Sequence, residues 1–232
     1  DYLIVGGHGK GTAIRPTDSV DMIYLLPQAL HRTDVTFLGG DVAAALGEAL
    51  GIVRVLPEGW FSVAADAHGL ASRAQIRLVP CFSTDAGYAV AAPSGAERWI
   101  NPGAEAAALR RADVISGGKA TPLVLLLKAW RRTAGVPIPV FALEILACEF
   151  ISVWSHALRE SMLFDFMLRD FLVWLSSQAG RVLDAPGTDH TIDLGTDWLG
   201  HVLASRRAAE RACLADRRGA TAPPEWRQLF GP

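Results

Sequence analysis

The period of the apolar pattern changes near Pro102, and that change constrains the fold more than any other feature of the chain. Ahead of it, residues 3–5, 20–26, 52–56, 61–65, 74–79 and 88–92 alternate or run apolar in short stretches and read as strands. One helix is expected among them, over 41–50, with Gly51 as its stop. Beyond Pro102 the segments 105–111, 121–132, 141–156, 161–178 and 197–216 carry helical periodicity. In the second of these, Leu123, Leu126, Leu127 and Trp130 form a stripe with Lys128 beside it. Leu163, Phe166, Met167, Phe171 and Trp174 form another, and both stripes read as core. Pro223-Pro224 end the last helix, and residues 225–232 read as a tail packed by Trp226 and Phe230. The expected architecture is α+β: a mixed-sheet lobe over 1–101 and a helical lobe over 102–232.

Composition removes several classes of function. With 22 Lys and Arg against 24 Asp and Glu, the formal charge is −2 and no field is available to recruit DNA or another polyanion. Cys81, Cys148 and Cys213 lie far apart, so neither a zinc site nor a disulfide framework is signalled, and buried thiols in a reducing cytoplasm are expected. The most apolar stretch, 136–154, is broken by Pro137, Pro139, Glu144 and Glu149, which argues against a membrane span. The opening Asp1-Tyr2-Leu3-Ile4-Val5 reads as a strand under way, so no signal peptide is expected and a helix is expected ahead of it.

The segment from Gly6 to Asp21 carries the chemistry. The first strand stops at Gly6-Gly7, and 8–16 reads as a loop rich in Gly, Lys and Thr before Asp18-Ser19-Val20-Asp21 opens the next strand. Glycines let a backbone approach a phosphate, and Lys10 and Arg15 add positive charge. A carboxylate at the start of the following strand is where a magnesium ion bridging phosphate oxygens would be held. The segment is not a P-loop, since G-x-x-x-x-G-K-[ST] is unmatched.

The run GGHGKGTAIRPTDSVDMIYLLP resembles the nucleotidyltransferase signature of the bacterial CD-NTase (SMODS) family, relatives of cyclic GMP-AMP synthase and oligoadenylate synthase. IRLVPCF (76–82) resembles that family's third-carboxylate strand. WINP (99–102) and TPLVLLLKAWRR (121–132) resemble the segments entering and forming its helical lobe, so the resemblance runs in order from 1 to 216. It implies a polymerase-β-like nucleotidyltransferase fold, a site for nucleoside triphosphates such as ATP or GTP, Mg2+ held by three carboxylates, and a role in anti-phage signalling. Gly6, Gly7, Lys10, Thr12, Arg15 and Lys128 fall at positions that contact nucleotide.

The chain departs from the family where its chemistry is most demanding. Asp21 falls at the second carboxylate, but Ser19 stands at the first and Arg77 at the third, and the Gly-Ser loop serine is Gly7. Asp21 and Arg77 sum to zero charge where three carboxylates would offer −3. At an effective dielectric of 20, a like unit charge about 4 Å away costs on the order of 4 kcal/mol, and a divalent ion feels about twice that. Arg77 is therefore expected to replace the metal by pairing with Asp21; the alternative is that it snorkels to solvent while Asp18 supplies a substitute ligand.

The remaining polar residues read as structural: His8 faces water, His156, His190 and His201 are scattered, Glu144 and Glu149 cap or pair locally, and Asp189-His190 near Asp193 lies in a loop. The expected function is a CD-NTase-like protein of bacterial defence whose catalytic centre has degenerated, acting by binding a nucleotide or a partner protein. Two alternatives stay open: an active synthase of cyclic di- or oligonucleotides with a metal site rearranged around Asp18 and Asp21, and a structural subunit with a closed cleft.

Overall fold

A computed structural model describes residues 1–15, 19–30, 41, 44, 45, 48, 53–55, 61–65, 74–90, 98–159, 163–216 and 224–231. Asp18, most of the 41–50 segment and residues 217–223 lie outside them. Of that segment, Asp41, Ala44, Ala45 and Glu48 are helical and exposed. The chain forms two compact units, one of residues 1–106 with 186–189 and the other of 107–185 with 190–232.

The first unit is built on a seven-stranded mixed sheet. Its strands are β1 (Tyr2–Val5), β2 (Val20–Leu25), β3 (Val53–Val55), β4 (Phe61–Ala65), β5 (Ala74–Thr84), β6 (Gly87–Val90) and β7 (Arg98–Ile100). The order is β1-β2-β5-β4-β3, with β6 on β5 and β7 on β6; the β2–β5 pair is parallel and the others are antiparallel. The long strand β5 serves β4 up to Leu78 and β6 from Cys81 onward. Pro80 sits at that changeover, where a residue lacking an N–H interrupts a ladder least. Ile23, Val79, Cys81, Val5 and Val90 form the buried cluster of this unit.

The glycine-rich segment departs from the expected loop. Residues Gly6–Lys10 form a short helical turn, α1, although three of the five are glycine and glycine is a poor helix former. Its end explains why it holds: Gly11 is left-handed at φ 71°, its N–H donates to His8 O, and the Thr12 N–H donates to Gly7 O at 2.7 Å. That pair of bonds is a Schellman closure, which satisfies carbonyls the composition alone left unassigned.

The second unit is helical: the body of α2 (Pro102–Ser116), then α3 (Ala120–Thr133), α4 (Val140–Val153), α5 (Phe164–Leu175), α6 (Leu199–Asp216) and α7 (Pro224–Phe230). A hairpin of β8 (Val182–Asp184) and β9 (Thr191–Asp193) joins α5 to α6. Leu123, Leu127, Trp130, Met167 and Phe171 of the expected stripes are fully buried, and Phe150 packs ring to ring with Trp154, Phe171 and Trp174. Trp130 Nε1 donates to Ser205 Oγ at 2.9 Å, which fixes α3 against α6. The expected tail is instead the helix α7, where Leu229 is buried and Trp226 and Phe230 pack against the core. No helix among the described residues is long and apolar enough to cross a membrane.

Candidate functional site

Parallel pairing of β2 with β5 sets Asp21 directly beside Arg77 in register. Directly paired residues point to the same face of a sheet, and here the next inward positions are the buried Ile23 and Val79. The side chains meet in a bidentate fork: Arg77 Nε donates to Asp21 Oδ1 at 2.7 Å and Nη2 to Oδ2 at 2.9 Å. Ser19 Oγ also donates to Oδ1, at 3.3 Å. Arg77 thus pairs with Asp21 rather than snorkelling away, although its side chain keeps 44 % of its exposure while Asp21 keeps 14 %.

Gly6 closes over the same carboxylate. Its φ is +59°, and a Cβ built there would run into Asp21 Oδ2. Both the left-handed backbone and the close approach require glycine, so the first residue of α1 and the opening of β2 are fitted to each other.

Two of the cationic positions are paired with carboxylates. Lys10, at the end of α1, donates to Glu105 Oε2 at 2.9 Å, with side-chain exposures of 7 % and 19 %. Glu105 lies in the first turn of α2, where the helix dipole favours a carboxylate. Thr12 is fully buried beneath its turn, Gly7 is half-buried, and Arg15 is exposed. In the second unit Lys128 is not a solvated helix lysine. Its side chain is 5 % exposed and pairs with Glu144 Oε1 of α4 at 2.8 Å, Glu144 itself being 8 % exposed. Glu149 pairs with Arg181 at the surface. Glu105 carries no signal in the sequence, and Glu144 reads only as pairing locally. The available signal was Glu144, flanked by Phe141 to Leu143 and Ile145 to Ala147 within α4, where a buried carboxylate calls for a cation.

Among the described residues, those at this site do not fit a pair of magnesium ions. At the positions the resemblance gives to three carboxylates stand the Ser19 hydroxyl, the Arg77 guanidinium and Asp21, whose two oxygens both accept from that guanidinium. Magnesium dehydrates reluctantly and is held by carboxylates. Among the described residues no group of three or more His, Cys, Asp or Glu could hold a metal ion. Asp18, the candidate substitute ligand, lies outside the described residues. Burial of Cys81 on β5 pushes its thiol up to about 12, which disfavours the nucleophilic thiolate.

Comparison with solved structures decides the fold. The CdnC of E. coli MS115-1, solved with ATP, superposes with a TM-score of 0.68 at 16 % identity, over 100 % of this chain and 83 % of that one. Vibrio cholerae DncV cyclic AMP-GMP synthase, solved with nonhydrolyzable GTP, superposes with a TM-score of 0.78 at 14 % identity, over 100 % of this chain and 68 % of that one. The fold is that of the bacterial CD-NTases. A third structure in the same fold is the E. coli MS115-1 CdnC:HORMA-deltaN complex, at a TM-score of 0.68 and 16 % identity over 99 % of this chain and 82 % of that one. No family model and no curated protein matches the sequence.

Proposed function

We propose that this chain is a CD-NTase-like protein that has lost nucleotidyl transfer and acts by binding, within a bacterial anti-phage defence system in the cytoplasm. The observation that carries the reading is the Arg77–Asp21 fork. A permanent cation holds both oxygens of the remaining carboxylate at the centre where the family resemblance calls for metal. Transfer of a nucleotidyl group needs two divalent ions about 3.5–4 Å apart to lower the pKa of the attacking hydroxyl and to neutralise the leaving pyrophosphate. A guanidinium can do part of the second task and none of the first.

Two classes of occupant remain for a CD-NTase scaffold without its chemistry. A nucleotide is supported by neighbours solved with ATP and with nonhydrolyzable GTP, and a protein by the neighbour solved in a HORMA complex. The test is incubation of the purified chain with labelled nucleoside triphosphates in Mg2+ or Mn2+. No product is expected. A phosphatase-resistant cyclic product would replace this reading with that of a synthase built around Asp18 and Asp21.

A further inference from the structure

Two of the cations that the family resemblance assigns to nucleotide, Lys10 and Lys128, pair with this protein's own carboxylates, and so does Arg77 at the position the resemblance gives to the third carboxylate. Lys10 takes Glu105 from 95 residues away, and Arg77 takes Asp21 from 56 residues away. Lys128, within the second unit, takes Glu144 of the neighbouring helix. Partners so far apart in sequence are not accidents of local geometry; each pairing is imposed by the fold.

We infer that the first unit is charge-locked: Glu105 and Asp21 hold Lys10 and Arg77 against nucleoside triphosphates, so that the resting chain takes neither ATP nor GTP. The inference rests on the proposed loss of transfer chemistry and chooses between its two classes of occupant, in favour of a protein. A triphosphate gains side-chain charge attraction from positive groups that are not already neutralised. Displacing a part-buried carboxylate from its cation takes the ion-pair partner from a group already partly out of water, so the exchange is unfavourable. The charge of the whole unit acts in the same direction. Residues 1–106 and 186–189 carry seven Lys and Arg against twelve Asp and Glu, a formal −5 facing a polyanion. In metal-dependent relatives the divalent ions reverse such a field, and the Arg77–Asp21 fork removes their ligands.

The inference predicts a gain of function from removing negative charge. ATP and GTP binding would be measured by isothermal titration calorimetry on the wild-type chain and on Glu105→Gln and Asp21→Asn, each with EDTA and with Mg2+. Circular dichroism and melting curves establish that each variant is folded. Wild type should show no saturable binding under either condition. Each amide variant, having lost one lock, should bind triphosphate at least about tenfold more tightly, the scale of one charge-assisted hydrogen bond, and equally well in EDTA. Saturable binding by wild type overturns the lock, as does a folded Glu105→Gln variant that binds no better than wild type. Should Asp21→Asn fail to fold, wild type and Glu105→Gln decide alone, since their pair draws on different elements. Binding without turnover would overturn only the lock; turnover by wild type would overturn the loss of chemistry itself.

Discussion

Replacing Glu144 by leucine should be among the most damaging single changes to the second unit. The Lys128 ammonium lies 2.8 Å from Glu144 Oε1, and the two side chains are 5 % and 8 % exposed. Removing one member of such a pair strips a charge held out of water of its ion-pair partner, which costs about 3–5 kcal/mol. For a chain of this length each kcal/mol lowers the melting temperature by about 2–4 °C, so a fall of about 6–20 °C is expected. The double variant Lys128→Met/Glu144→Leu removes both charges and fills similar volume, and it should melt within a few degrees of wild type or above it. Urea and thermal melts of the four proteins close a double-mutant cycle that isolates the coupling. A Glu144→Leu penalty below about 1 kcal/mol would mean that the ammonium reaches water, and the burial argument would fail. A double variant as unstable as the sum of the singles would equally refute the pairing.

The glycine fitted against Asp21 and the buried thiol of Cys81 give two more tests. Gly6→Ala meets both a left-handed backbone, worth about 1–2 kcal/mol, and the Asp21 carboxylate, whereas Gly11→Ala meets only the backbone term because nothing lies within 4 Å of its Cβ position. Urea midpoints should therefore rank Gly6→Ala well below Gly11→Ala, and equal midpoints would remove the contact from the account. Cys81 should resist iodoacetamide in the folded protein below pH 9, while the half-buried Cys148 reacts first. Because burial raises the Cys81 thiol from 9.0 to about 12, the unfolded chain releases this proton first as pH rises. Its contribution to stability is full below pH 9 and is lost toward pH 12, at up to about 1.4 kcal/mol per pH unit, and Cys81→Ala should flatten that alkaline limb. An unchanged limb would show that the thiol is not the titrating group.

The Arg77–Asp21 fork was legible from the family resemblance, which implies that both positions belong to one carboxylate site and so sets a cation where a partner of Asp21 would stand; the register of β2 on β5, which the sequence does not fix, places them side by side. The helical half was equally readable, since stripes such as Leu123, Leu127 and Trp130 repeat at a period no strand can use. The turn α1 was not, because its stability resides in two closing hydrogen bonds rather than in the propensity of Gly6, Gly7 and Gly9. The β8–β9 hairpin was also hidden, three residues being too few to show alternation. Glu105 escaped because its partner lies 95 residues away and its position at a helix start looks complete without one.

The central claim is that a guanidinium has taken the place of divalent metal at Asp21. Bound Mn2+, measured by electron paramagnetic resonance on wild type, Asp21→Asn and Ser19→Asp/Arg77→Asp, tests it most directly. Wild type and Asp21→Asn should leave the same Mn2+ free, and the double variant, which rebuilds three neighbouring carboxylates, should bind it. Mn2+ held by wild type and released by Asp21→Asn would contradict the account.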